Sequence, residues 1–151
     1  ADDSFDLIIL AHVLEHVEHE RILIRELKRV AKHIVIEVPK DYRFGVDNRM
    51  KHFLDYGHIN MYTPTLLRFL LKSEGLSIMA DKASMTTPEV NYFNEFVNKN
   101  SPKTVVKTLK ITLEYKIKRI LGSILGKKKQ EQFANAYTVL TEKSDQNLHI
   151  F

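Results

Sequence analysis

The chain opens on a short, nearly continuous apolar run, Phe5-Asp6-Leu7-Ile8-Ile9-Leu10. That is the pattern of a strand covered on both faces, as in a parallel sheet. From residue 17 to residue 32 the period changes. Val17, Ile22, Ile24, Leu27, Val30 and Ala31 read as one helical face, with Glu18, Glu20, Arg21, Arg25, Glu26, Lys28 and Arg29 opposite, which predicts an amphipathic helix. His33 to Val38 reads as a second buried strand ended by Pro39, so strand, helix and strand form one βαβ unit with a right-handed crossover.

Residues 39–62 lack a clear period and predict a long connection carrying Tyr42, Phe44, Phe53, Tyr56 and Tyr62. Connections of that length inside a compact domain are more often functional than idle. Thr63-Pro64 opens a helix, because the Thr hydroxyl can cap a free N–H and Pro loses nothing at the first helical position. Leu66, Leu67, Phe69, Leu70 and Leu71 drive it against the sheet, Gly75 stops it, and a third strand runs from Leu76 to Ala80 or Lys82. Residues 83–133 read as a helical insertion, with a short helix near Glu89 to Asn98. In the longer helix that follows, Val106, Leu109, Leu113, Ile117, Ile120 and Ile124 recur at steps of three and four. Ala136 to Thr141 alternates like a strand with one wetter face. The fold class is α/β: a partial domain over residues 1–142 that includes the insertion at about 83–133, then a loose tail at 143–151.

With 151 residues, 44% hydrophobic and 28% charged, one soluble core is expected. No stretch approaches the ~20 apolar residues of a membrane span. The absence of cysteine excludes a disulfide framework, a thiolate zinc site and a cysteine nucleophile. With no basic-then-apolar leader in the sequence, the expected location is cytoplasmic. The net charge of +4 hides an asymmetry: between Ser101 and Gln130, nine Lys and Arg residues face only Glu114. An anionic partner would meet that segment. Its apolar stripe and basic flanks lead to the expectation of peripheral membrane contact through residues 103–129. Nucleic acid is not expected there, since only Tyr115 and Phe133 could stack on bases.

The run Phe5-Asp6-Leu7-Ile8-Ile9-Leu10-Ala11-His12-Val13-Leu14-Glu15-His16-Val17 resembles the fourth strand and following turn of class I S-adenosylmethionine-dependent methyltransferases, in the subgroup that reads VLEHV. The resemblance continues in register through the charged helix, the strand ending at Pro39, the turn Gly57-His58-Ile59-Asn60-Met61-Tyr62-Thr63-Pro64 and Glu74-Gly75-Leu76. It covers residues 3–82 well and 134–142 loosely. It implies a Rossmann-like sheet of parallel strands with an antiparallel last strand, and S-adenosylmethionine as cofactor. The family's glycine-rich loop and the acidic end of its second strand have no counterpart, since glycines 45, 57, 75, 122 and 126 form no cluster. The expectation is therefore a C-terminal half that is inactive in isolation.

In an open parallel sheet, ligands lie beyond the carboxyl ends of the strands, so Leu10, Ala11 and His12 are the expected cofactor-binding residues. Methyl transfer needs alignment, and a base only where the acceptor must lose a proton. His16 and His58 are the candidate catalytic residues; in the structural alternative His16 packs under the turn and His58 braces the helix start. His12-Val13-Leu14-Glu15-His16 also matches the H-x-x-E-H signature of zinc proteases, but a strand running up to His12 leaves it in a turn rather than mid-helix. Some ubiquinone-biosynthesis O-methyltransferases carry Glu-x-x-Glu-His at the matching place and bind a divalent metal there. Here His12 replaces the first Glu, and no metal is assigned. The leading reading is a methyltransferase acting on a small-molecule, lipid-linked or sugar-type acceptor. The competing one is a non-catalytic module whose basic amphipathic helix docks to an anionic membrane or nucleic acid.

Overall fold

The computed structural model describes residues 1–42, 46–126 and 131–144. Phe44, Gly45, the last three residues of the 103–129 stretch and most of the 143–151 tail lie outside the described residues. The chain divides into two units, residues 1–83 with 136–151, and residues 84–135.

The first unit is built on β1 (Phe5–Ala11), β2 (Ala31–Pro39), β3 (Leu76–Ser84) and β4 (Ala136–Lys143), arranged in the order β1-β2-β4-β3. β1 runs parallel to β2, and β4 antiparallel to it. On β2, buried Ile34, Ile36 and Val38 alternate with half-covered neighbours. Their cross-strand partners Thr141, Val139 and Tyr137 are buried on the same face. The period-2 alternation thus defines one core face. β1 departs from its reading as a strand covered on both sides. It is an edge strand, with Ile8 and Leu10 packed on the core and Phe5, Leu7 and Ile9 exposed.

Two helices cover the core face. α1 (Glu20–Val30) buries Ile24 and Leu27, and α3 (Pro64–Ser73) buries Leu67, Leu70 and Leu71. Ile22, Leu66 and Phe69, assigned to the core from sequence, are exposed instead. At about 100° per residue, Ile22 lies across the helix from Ile24, and Leu66 and Phe69 lie off the i, i+3, i+4 row of Leu67, Leu70 and Leu71. Thr63 caps α3 by accepting from the Leu66 N–H at 3.1 Å. Gly75, at φ +75°, ends it where a side chain would meet the Lys28 ammonium at 3.2 Å. The 39–62 connection is more regular than its sequence suggested. It contains a 3-10 turn, Val46–Asn48, and α2 (Met50–Tyr56), none of whose residues is buried. With nothing buried there is no apolar stripe to read.

In the second unit α4 (Pro88–Tyr92) continues as a π-helical turn to Asn98, and α5 (Val105–Leu125) follows. The Tyr92 hydroxyl ties them together by bonding Thr112 Oγ1 and the Thr108 carbonyl. The apolar stripe of α5 is uncovered: Val106 is 76% exposed, Leu109 64% and Ile124 72%. Among the described residues no helix is long and apolar enough to cross a membrane.

α1 is fastened to the end of α3 by one carboxylate. Arg21 and Arg25 both bond Glu74, Arg25 Nε at 2.7 Å from Oε2, while Lys28 donates to the Glu74 carbonyl at 2.7 Å. These cations also face the negative end of the α3 dipole. Burial alone would raise the Glu74 pKa, but the hydrogen bonds from Arg25 and Arg21 outweigh it and the pKa is lowered. A carboxyl group lowered on folding stabilises the fold above its unfolded pKa of ~4.3, and that contribution is lost as pH falls through the folded value. Glu74→Gln should destabilise the protein by about 1–2 kcal/mol at neutral pH and flatten this acid limb, as read by urea melts at pH 7 and pH 3.5.

Candidate active site

The site forms beyond the carboxyl ends of β1 and β2. β1 ends at Ala11, and His12 turns the chain at φ +53° while its N–H still donates to the Glu37 carbonyl of β2 at 2.9 Å. The turn places the exposed His12 ring 3.3 Å from Glu37 Oε1 and 3.4 Å from Glu15 Oε1. A 3-10 turn, Leu14–His16, follows. It has no side-chain cap of its own, and the segment after α2 supplies its partners. The N–H groups of Ile59 and Asn60 donate to the Glu15 carbonyl at 2.9 and 3.0 Å. Asn60 Nδ2 donates to the Val17 carbonyl at 2.7 Å, and the Tyr62 hydroxyl to the Leu14 carbonyl at 3.5 Å. Burial and the nearby Glu20 and Glu15 carboxylates push the Tyr62 pKa up, which keeps that hydroxyl a donor.

This grip brings His16 and His58 together, with ring centroids 5.0 Å apart and edge to face. Gly57, at φ +68° beyond α2, turns its carbonyl toward His16, whose Nδ1 donates to it at 2.9 Å. A carbonyl only accepts, so the proton is on Nδ1 and the lone pair on Nε2. Nδ1 of His58 donates to the Asp41 carboxylate, just past the end of β2. Asp41 is buried, and Arg49 Nη1 lies 3.5 Å from its Oδ1. Both imidazoles are therefore held by one nitrogen and free at the other, an arrangement that can receive a proton. Glu15 lies beneath them, 1% exposed, with no hydrogen-bond partner on either carboxylate oxygen; its Oε1 is 3.8 Å from His16 Nε2.

All five residues named from sequence lie in this region. Leu10 is half-covered and Ala11 and His12 are exposed along the strand end, while His16 and His58 form the pair. Sequence reasoning missed Asp41, Asn60 and the Gly57 carbonyl. Asp41 carried a usable signal, a carboxylate two residues beyond Pro39 at a strand end. The other two act through contacts 41 to 43 residues away, which no local pattern shows.

The sequence profile of the Methyltransferase domain family matches residues 1–80. The chain belongs to this methyltransferase family. Solved structures share the fold. An S-adenosylmethionine-dependent methyltransferase from Archaeoglobus fulgidus is 19% identical, with a TM-score of 0.54 over 94% of this chain and 61% of its own. Phosphoethanolamine N-methyltransferase 2 of Haemonchus contortus, in complex with phosphomonomethylethanolamine and S-adenosylhomocysteine, is 11% identical, with a TM-score of 0.55 over 96% of this chain and 35% of its own. The [4+2]-cyclase SpnF is 14% identical, with a TM-score of 0.53 over 95% of this chain and 51% of its own. The chain thus spans between about a third and three-fifths of the length of these structures. No curated protein matches it at a significant level.

Asn60 is the testable joint of this site. Asn60→Ala removes the side-chain donor to the Val17 carbonyl and should cost about 1 kcal/mol in stability. Chemical shifts of the His16 and His58 rings should move together in two-dimensional NMR spectra, because both rings depend on the same clamp.

Proposed function

We propose that the protein is an S-adenosylmethionine-dependent methyltransferase for a small-molecule acceptor, with lipid-linked and sugar-type acceptors in the same class. The observation that carries this reading is the pair of anchored imidazoles beyond the strand ends, His16 on the Gly57 carbonyl and His58 on Asp41. Leu10, Ala11 and His12 would hold the cofactor. The fit is favourable on two counts: Ala11 is small and exposed at the strand tip, and the Glu37 carboxylate near it suits a cationic sulfonium. When bound, S-adenosylmethionine supplies an activated methyl group.

The chain's own residues handle the proton. An acceptor N–H or O–H placed over the pair would lose its proton to His58 Nε2, while Asp41 holds the ring in the required tautomer and offsets the imidazolium charge. Tyr56, whose ring centroid lies 5.9 Å from that of His58, supplies ring surface for an acceptor with an apolar or ring component. In the longest form of the protein that carries these residues, His58→Asn should lower kcat by about 10²- to 10⁴-fold with cofactor affinity unchanged. Ala11→Trp should weaken S-adenosylmethionine binding in the calorimeter. Unchanged affinity in Ala11→Trp would remove the cofactor from this strand end.

The membrane reading keeps one specific support, the uncovered stripe of α5 flanked by Lys107, Lys110, Lys116, Lys118 and Arg119. On this reading the protein works in the cytoplasm and touches anionic lipid peripherally. Co-sedimentation with phosphatidylserine vesicles should then be strong at low salt and fade near physiological ionic strength, where the Debye length is ~8 Å. Equal binding to phosphatidylcholine vesicles would reject it.

A further inference from the structure

We propose that Glu15, His16 and His58 form a binding site for one divalent transition-metal ion of the zinc class. One ligand atom from each residue lies within 4.8 Å of the other two. The Glu15 carboxylate is buried and neither oxygen has a hydrogen-bond partner. A buried carboxylate in that condition is unfavourable unless a cation or donor completes it. Neither oxygen is exposed to solvent, so an ion held there would be coordinated by the protein's own groups.

The two imidazoles are prepared as metal ligands. Nδ1 of His16 is tied to the Gly57 carbonyl at 2.9 Å and Nδ1 of His58 to Asp41, leaving Nε2 of each to coordinate. A carbonyl or carboxylate behind a ligating histidine fixes its tautomer and raises its basicity. The 3.8 Å between His16 Nε2 and Glu15 Oε1 needs little contraction to reach the ~3.4 Å ligand separation set by tetrahedral bonds of ~2.0–2.1 Å. Two nitrogens and one carboxylate favour zinc-class ions over Mg²⁺ or Ca²⁺ and leave a fourth position open.

A second set, Asp41, His52 and His58, is equally compact, but it is less suited to a cation. Asp41 already accepts from His58 and has the Arg49 guanidinium 3.5 Å from its carboxylate. Asp41 therefore acts as a positioning residue for His58. Nor is the set the contiguous His12-x-x-Glu15-His16 of the sequence: His58, 42 residues after His16, takes the place of His12. The inference deepens the proposed function at the same cluster. With the ion bound, Nε2 of His58 would serve as a ligand and not as the base, so its two roles are alternatives at one atom.

The test is titration of the metal-stripped protein with Zn²⁺ alone in a calorimeter, and with Co²⁺ followed by visible absorption. One equivalent should bind, with the intense bands of a tetrahedral Co²⁺ site. Glu15→Gln and His58→Ala should each weaken binding at least about tenfold, and Asp41→Asn about 10- to 100-fold. His12→Ala should leave it within about twofold of the parent. Without metal, Glu15→Gln should melt at a higher temperature than the parent, because it removes a buried carboxyl group that no hydrogen bond satisfies, and this shows that the variant folds. Failure of Zn²⁺ to bind at ~10 µM or below, or binding that His12→Ala abolishes and His58→Ala spares, overturns the proposal. No methyl donor is present in these titrations. A protein that binds zinc and not S-adenosylmethionine would sink the proposed function and leave the ion site standing, and the reverse result would do the opposite.

Discussion

The hold of residues 57–62 on the turn after β1 is the constraint on which the site depends. A three-residue 3-10 turn with no cap leaves carbonyls that must find donors if they are covered. Those of Leu14, Glu15 and Val17 find them in Tyr62, in the Ile59 and Asn60 amides, and in the Asn60 side chain. One segment therefore satisfies the turn and delivers His58, while the Gly57 carbonyl at its head orients His16. The left-handed conformation of Gly57 lets α2 stop and the chain reverse at that point, a conformation that strains a residue bearing a Cβ.

Beneath the site, β2 is the strand that carries the unit. It pairs with β1 on one side and β4 on the other, so the two strand ends that matter, at Ala11 and at Asp41, are neighbours in space by virtue of a parallel register. An antiparallel partner would have placed one of them at the opposite end of the sheet. β1 itself presents an unpaired edge and an exposed apolar face, with Ile9 67% exposed. Such an edge is a template for further strand pairing.

Much of the framework was legible in the sequence because burial writes a period into it. The change from the continuous run at Phe5–Leu10 to the 3.6-residue spacing around Ile24 and Leu27, and back at Ile34, is the βαβ unit itself. Thr63-Pro64 announced α3 through capping chemistry that is strictly local. Errors arose where the local rule was applied too broadly: Ile22, Leu66 and Phe69 are apolar yet exposed, and hydrophobicity without phase does not assign a face. α2 escaped because a helix that buries nothing leaves no stripe. At the site, His16 and His58 could be named from their residue type and flanking motif. Their meeting could not, because it depends on the fold of the 39–62 connection, and the same applies to Asp41, Asn60 and the Gly57 carbonyl.

Fold alone does not choose the chemistry, since the same architecture is found in a [4+2]-cyclase as well as in methyltransferases. What a cycloaddition does not require, and a methylation of N–H or O–H does, is a place for the acceptor's proton. Here the strand ends converge on two imidazoles whose outer nitrogens are fixed by a carbonyl and a carboxylate, above a carboxylate with no hydrogen-bond partner. Stability alone does not favour burying Glu15 that way, because an apolar residue of similar size would pack without the desolvation cost. Local rules of folding tend to be broken where a site needs them broken. On the proposed reading, Glu15, His16 and His58 would locate the chemistry more sharply than the sheet that carries them.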